Sequence, residues 1–99
     1  MIARLWSART TVPLSSSYVE YFSQHMLPEL RALPGFVSAQ VLTRAAGSEV
    51  EILAVTVWES LEAIAAFAGA DHEAAVVHPA AAALLTEYDR RARHFDVMR

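Results

Sequence analysis

Residues 50–58, VEILAVTVW, leave this chain fewer choices than any other stretch. The β-branched residues favour a strand, and alternation sends Ile52, Ala54 and Trp58 to one face and Leu53, Val55 and Val57 to the other. Both faces are apolar, so this strand belongs inside a sheet that is covered on both sides. A chain of 99 residues makes one domain (1–99) with one core, and its helices can cover only one side. The other side would remain as a patch beyond the roughly few hundred Å² that monomers usually tolerate. A second copy packed sheet against sheet removes the problem. A homodimer is expected.

The rest of the chain supplies the partners for that strand. IARLWSAR (2–9) reads as a first strand, and TTVPLSSS (10–17) as a loop whose serines can cap a helix. From Tyr18 to Leu33, the residues Val19, Phe22, Met26, Leu30 and Leu33 recur at steps of three and four, the mark of a helical face. Pro28 predicts a kink there, unless the helix restarts with the proline in its first turn; Pro34-Gly35 ends the element. FVSAQVLTR (36–44) is a second strand and AAGSE (45–49) the turn into the third. Ser60 caps a helix over 61–68, and Gly69 sits where a stop glycine belongs. Asp71 is expected to cap a short turn to Val77. PAAAALLTEYDRR (79–91) is expected to restart as helix at Pro79, and ARHFDVMR (92–99) to close the sheet. The order β-α-β-β-α-(α)-β predicts an α+β, ferredoxin-like protomer: a four-stranded antiparallel sheet with helices on one face.

Composition removes several chemistries. Without cysteine there are no disulfides, thiolate zinc sites, iron–sulfur clusters or cysteine nucleophiles. All eight basic residues are arginine, and neither Lys nor Asn occurs, so a Schiff-base lysine and an Asn ligand are excluded. A net charge of −3 gives no footprint for nucleic acid or an anionic membrane. No apolar run approaches the ~18–20 residues of a membrane span. The first residues, MIARLWSAR, offer no signal-like apolar core, which predicts a cytoplasmic protein.

Around VTVWESLEAIAAFAG, followed by AVV and a closing HFDV, with LPGF before the second strand, the chain resembles the antibiotic biosynthesis monooxygenase family. The resemblance covers nearly the whole length. It implies a ferredoxin-like protomer, a dimeric α+β barrel and a pocket between each sheet and its own helices. Members of that family include cofactor-free oxygenases of phenolic and quinol substrates, and haem-degrading enzymes. The haem branch carries an Asn in the first strand, a Trp nine residues after the strand-end Trp, and an axial His ten residues further on. Here the first strand has no Asn, the second position is Phe67 and the third is Val77, with His78 one place late. One residue turns a helical side chain by ~100°, so the expectation is against haem degradation and for no cofactor.

Four histidines and a set of aromatics remain as candidates. His72 and His78 make a poor metal pair, because six residues on a helix separate them by ~9 Å along the axis and ~120° in rotation. No metal site is expected. His72, beside Asp71 and Glu73, suits a general base with an imidazole pKa near ~6.5; it equally suits a solvent-facing His in a first helical turn. Trp58 is either a pocket wall or a core Trp with its N–H bonded, and Trp6 is pocket or core. Tyr18, Tyr21 and His25 form a polar-aromatic stripe that edges the pocket or lines the rim of the core. Arg4, if inward, needs a carboxylate or an anionic ligand, with Glu51 and Asp96 as structural partners. His94 is expected to bond backbone or an acid, and Tyr88 to cover the helix–sheet seam.

Two functions follow. One is a cofactor-independent monooxygenase of a small hydroxylated aromatic or quinol-type molecule. In it His72 accepts a proton, in a cavity lined by Trp6, Tyr21, His25, Trp58, Phe67 and His78. The other is a non-oxygenase use of the same fold: a ligand-binding or stress-related dimer, or an isomerase or cyclase. Fold alone does not choose between them.

Overall fold

The computed structural model describes residues 1–98. Strand β1 (Ile2–Thr11) passes straight into helix α1 (Val12–Tyr21), so the stretch 10–17 is strand end and helix start rather than a loop. Thr11 is the reason. Extended itself, it accepts the Leu14 N–H on its side-chain oxygen at 3.4 Å, and Pro13 falls in the first turn, where its N–H is not needed.

Helix α1 runs on as one π-helical turn, Phe22–Met26, and then as α2 (Leu27–Arg31). In an unbroken α-helix Pro28 would leave the Gln24 carbonyl without a donor and press its ring on it. The chain instead widens by a residue: the Leu27 N–H donates to the Phe22 carbonyl, and Pro28 lies in the first turn of α2. The wide turn keeps a row at steps of four, Tyr18, Phe22, Met26 and Leu30, buried along one side. Val19, expected on that face, lies ~100° away from this row and is 41 % exposed.

Strands β2 (Phe36–Ala46) and β3 (Glu49–Trp58) form a hairpin, and helix α3 (Leu61–Ala68) has the expected bounds. Ser60 accepts the Ala63 N–H at 3.2 Å to start α3, and Gly69, at φ +88°, stops it. Helix and sheet touch closely at Gly35, where a Cβ would meet that of Ala63 at 2.5 Å.

The last third departs from local signals. Helix α4 spans only Pro79–Ala82, not 79–91, and is followed by strands β4 (Glu87–Tyr88) and β5 (Arg93–Asp96). The final strand was expected over 92–99; Arg99 lies outside the described residues. Alanine favours helix, but β1 has a second edge to satisfy. The Thr86 and Asp89 N–H groups donate to the Arg9 and Ser7 carbonyls at 2.8 and 2.9 Å, and buried Thr10 donates to the Leu84 carbonyl at 2.6 Å. Nor is there a helix over 71–77. Asp71 is held by both terminal guanidinium nitrogens of Arg91, Nη1 and Nη2, at 2.9 Å. The Glu73 carbonyl and Ala75 N–H bond instead to Ala92 and Arg90, at 2.7 and 3.0 Å.

Five strands thus fill four positions in the antiparallel order β2-β3-β1-β4, with β5 also on β1, the ferredoxin-like arrangement. Ala8 faces Tyr88, so continuous pairing would set residue 91 opposite Leu5; Arg93 stands there, and the two extra residues bulge out to meet the 73–75 segment. The helices pack on the face formed by the even-numbered residues of β1 and β3 and, past the bulge at Phe36–Ser38, the odd-numbered residues of β2. Trp58, Leu30, Ile52, Ile64 and Thr10 are fully enclosed there. The opposite face carries Leu5, Leu53, Val55 and Val57, half-buried, with Leu42 and Phe95 48 % and 46 % exposed. Among the described residues no helix is long and apolar enough to cross a membrane.

Candidate functional site

Between the sheet and its helices lies a cavity of about 50 Å³. Its floor is the inward face of two strands: Arg4 and Trp6 from β1, Ala54 and Thr56 from β3. Its roof is the buried row Tyr18, Phe22, Met26 and Leu30, so the π-turn forced by Pro28 sits directly over it. Phe67 from α3, the extended residues Val76 and Val77, and Ala81 close the end.

The floor is more polar than its surroundings require. Arg4 is only 4 % exposed, and its Nη1 donates to the His72 carbonyl and lies 2.9 Å from His94 Nε2. Its Nη2 donates to the Ala74 carbonyl at 2.7 Å, and the guanidinium carbon sits 5.6 Å from the Phe67 ring centre. Glu51 and Asp96 do not fill the role foreseen for them. Glu51 projects from the opposite face and pairs with Arg44 at 2.6 Å, while exposed Asp96 stands opposite Ile2. Burial lowers the Arg4 pKa, with Glu73 opposing the shift. His94 is held below the ordinary imidazole value by loss of water first and by Arg4 next. A neutral His94 accepts from Arg4 on Nε2, which assigns its proton to Nδ1. The Tyr18 hydroxyl is pushed up to about 12, by burial first and Tyr21 second, so it stays a phenol.

The other candidates distribute around this cavity. Trp6 and Phe67 line it; Trp6 donates Nε1–H to the Asp89 carbonyl at 2.7 Å. Trp58 is fully buried behind Phe67, stacked on it at 5.5 Å between ring centres, with its N–H on Thr56 Oγ1 at 2.9 Å. Tyr21 is half-buried beside Tyr18 at 6.3 Å, and its ring meets exposed His25 at 5.5 Å, away from the cavity wall. His72 is half-buried in a turn; its carbonyl, rather than its ring, is what Arg4 holds, and its charge when protonated acts on His94. His78 precedes α4 and points Nε2 at Glu29 Oε2, 3.4 Å away. Sequence reasoning missed Phe22, Met26 and Thr56 as cavity residues. The available signal was Thr56 itself, a polar side chain on the inward parity of an apolar strand.

Residues 14–79, about two-thirds of the chain, match the family model for antibiotic biosynthesis monooxygenase. The chain belongs to that family. No curated protein sequence matches it. Among solved structures, this family member is similar to a variant of MhuD with two manganese protoporphyrin IX bound per active site. The identity is 24 % over 100 % of this chain and 96 % of that one, with a TM-score of 0.63. It is equally similar to the haem-degrader MhuD of Mycobacterium tuberculosis with two haems bound, at 24 % identity, 100 % and 97 % coverage and a TM-score of 0.62. A third is the monooxygenase ActVA-Orf6 of Streptomyces coelicolor in complex with nanaomycin D. There the identity is 20 %, the coverage 95 % and 82 %, and the TM-score 0.57. These likenesses establish the fold.

Haem is not matched by the cavity's own residues. Its wall offers no imidazole: Val77 stands where the haem branch places its ligand, and about 50 Å³ does not hold a macrocycle. Among the described residues no three His, Asp or Glu side chains gather as a metal site.

Proposed function

We propose that this family member is a homodimeric, cofactor-independent monooxygenase of a small hydroxylated aromatic or quinol-type substrate. The observation that carries the reading is a cavity walled by Trp6, Tyr18, Phe22 and Phe67, with a few polar groups on its floor. Aromatic walls receive a flat ring, and the few polar groups orient it. Oxygenation without a cofactor draws its electrons from the substrate. A phenol with a free para C–H and one O₂ give a quinone and one water: one oxygen atom enters the ring, and the two departing hydrogens leave in the water. Ionisation of the phenol makes the ring electron-rich, and we assign His72 as the base for that proton. Its carbonyl accepts from Arg4 on the cavity floor and its ring acts on His94 through space, so it reaches a substrate only as the 70–78 wall moves. Drug-sized ligands occupy roughly 300–1,000 Å³, so a ring enters only as the wall at 70–78 moves outward. The bare apolar sheet face supports the dimer.

Oxygen uptake over a panel of dihydroxyaromatics, with wild type and His72→Ala, tests the reading. Uptake that falls by about 10²-fold or more in His72→Ala supports both reaction and base. Undiminished uptake removes His72 as the base and leaves the oxygenase. No uptake for any substrate, with tight binding of one, selects a binding protein or an isomerase. A haem titration runs in parallel, and a tight 1:1 complex with a shifted Soret band replaces this proposal with haem chemistry.

A further inference from the structure

Among the described residues, Arg4 is a buried cation without a bonded counter-ion. Its acceptors are two backbone carbonyls and a neutral imidazole, and no carboxylate among the described residues pairs with it. The acid that acts on it through space, Glu73, is exposed and lies 3.5 Å from Arg91. Carbonyl dipoles satisfy hydrogen bonds but leave a net positive charge in an apolar wall, an arrangement that is costly in most folds. A guanidinium has five N–H donors, and three of them have the partners named above.

The remaining polar groups on the cavity share its sign of hydrogen bonding. Thr56 uses its oxygen to accept from Trp58, which leaves its own O–H to donate. Tyr18 is a buried phenol at the roof. The indole N–H of Trp6 is spent on Asp89. No Asp, Glu or His side chain lines the space. A cavity with a cation and hydroxyl donors, and no carboxylate or imidazole acceptor, complements an acceptor that is itself charged.

We propose that Arg4 makes this an anion-selective pocket, and that its ligand is a planar molecule carrying an anionic oxygen group, a carboxylate or an ionised phenol. The free space beside Arg4 suits such a head group, and a planar fork matches a planar anion through paired, charge-assisted bonds. Apolar walls strengthen the pairing by keeping water out. The charge requirement stands on Arg4 alone; the aromatic body of the ligand rests on the proposed function.

Binding is read by isothermal titration and by Trp fluorescence with two nearly isosteric probes, benzoate and benzamide, and with 4-nitrophenol on either side of its own pKa. Wild type is expected to bind benzoate about tenfold or more tightly than benzamide, and Arg4→Gln to abolish that preference. Arg4→Lys, which keeps the charge and loses the fork, retains part of it. Preference for benzoate without any gain from ionising 4-nitrophenol assigns a carboxylate ligand, and a gain on ionisation assigns a phenolate. Equal affinity for benzoate and benzamide in wild type, no binding of either, or a preference that survives in folded Arg4→Gln overturns the proposal. The wild-type comparison decides even if Arg4→Gln does not fold. Benzoate needs no oxygen chemistry, so a failed oxygenase reading leaves the charge preference standing, and oxygen uptake without charge preference sinks only this inference.

Discussion

The two faces of the sheet are apolar in different ways. The face covered by the protein's own helices buries Ile52, Ala54 and Trp58 but also three polar residues, Arg4, Thr10 and Thr56, all 8 % exposed or less. The face left bare carries Leu5, Leu53, Val55, Val57, Leu42 and Phe95. Burial by helices is therefore not what selected the apolar residues of the bare side. The difference teaches that the covered face was shaped around a cavity with polar groups, while the bare face carries the apolar surface that the proposed dimer would cover.

The covered face breaks most severely at Trp58. Fully enclosed, stacked on Phe67 and edge-on to Phe36, it has nothing that can collapse into its space cheaply. Trp58→Ala is expected to cost about 3–5 kcal/mol, measured by urea unfolding. A loss below ~1 kcal/mol would mean that the cavity, and not the Trp, already sets the packing limit. The bare face is challenged at its centre by Val55→Asp. In the proposed dimer this buries a carboxylate between two sheets, and the dissociation constant is expected to rise about a hundredfold or more, ~2.7 kcal/mol, in sedimentation equilibrium. Unchanged association would place the partner surface elsewhere.

The same contrast explains what could be read in advance. Strand 50–58 and helix 61–68 were legible because local pattern and tertiary need agree there. A doubly apolar strand lies at the sheet interior, and a serine cap and a glycine stop bound the helix that covers it. Residues 69–98 were not, because distant partners outbid local preference. The alanines at 80–83 favour helix, but the open edge of β1 claimed 87–88 and 93–96, and the two-residue bulge claimed the backbone of 73–75. The site was half legible for a related reason. Trp6 and Phe67 follow from strand parity and helix phase, whereas the roof depends on a π-turn whose outcome Pro28 leaves open between a kink and a restart. Arg4 could be posed only as a conditional, inward with a partner. Of the neighbours expected to pair with it, Glu51 faces the other side and Asp96, on its own face beside Ile2, is exposed and makes no bond to it.

Smaller effects separate the cavity's charges from those at the surface. His94 has a folded-state pKa below the ordinary imidazole value, caused by desolvation, then Arg4, with His72 adding and Glu73 opposing. Between its folded and unfolded values the unfolded chain binds the extra proton. Stability is therefore expected to fall as pH drops below ~6.5 and to level off below the folded value. His94→Gln, which keeps an acceptor for Arg4 and loses the titration, should flatten that slope in thermal melts taken between pH 7 and pH 5. A slope that survives would shift the proton to another histidine.

The smallest change is expected at Asp71, fully outside the cavity. Its carboxylate lies below the ordinary range because of the bond from Arg91, so its contribution is present above ~4 and is lost as pH falls further. The pair is exposed on both sides, and water and salt screen it. Asp71→Asn should therefore leave the melting temperature within error at neutral pH and moderate salt. A clear drop would show that the Asp71–Arg91 fork, rather than Arg4 beneath it, holds the 70–77 segment closed over the cavity.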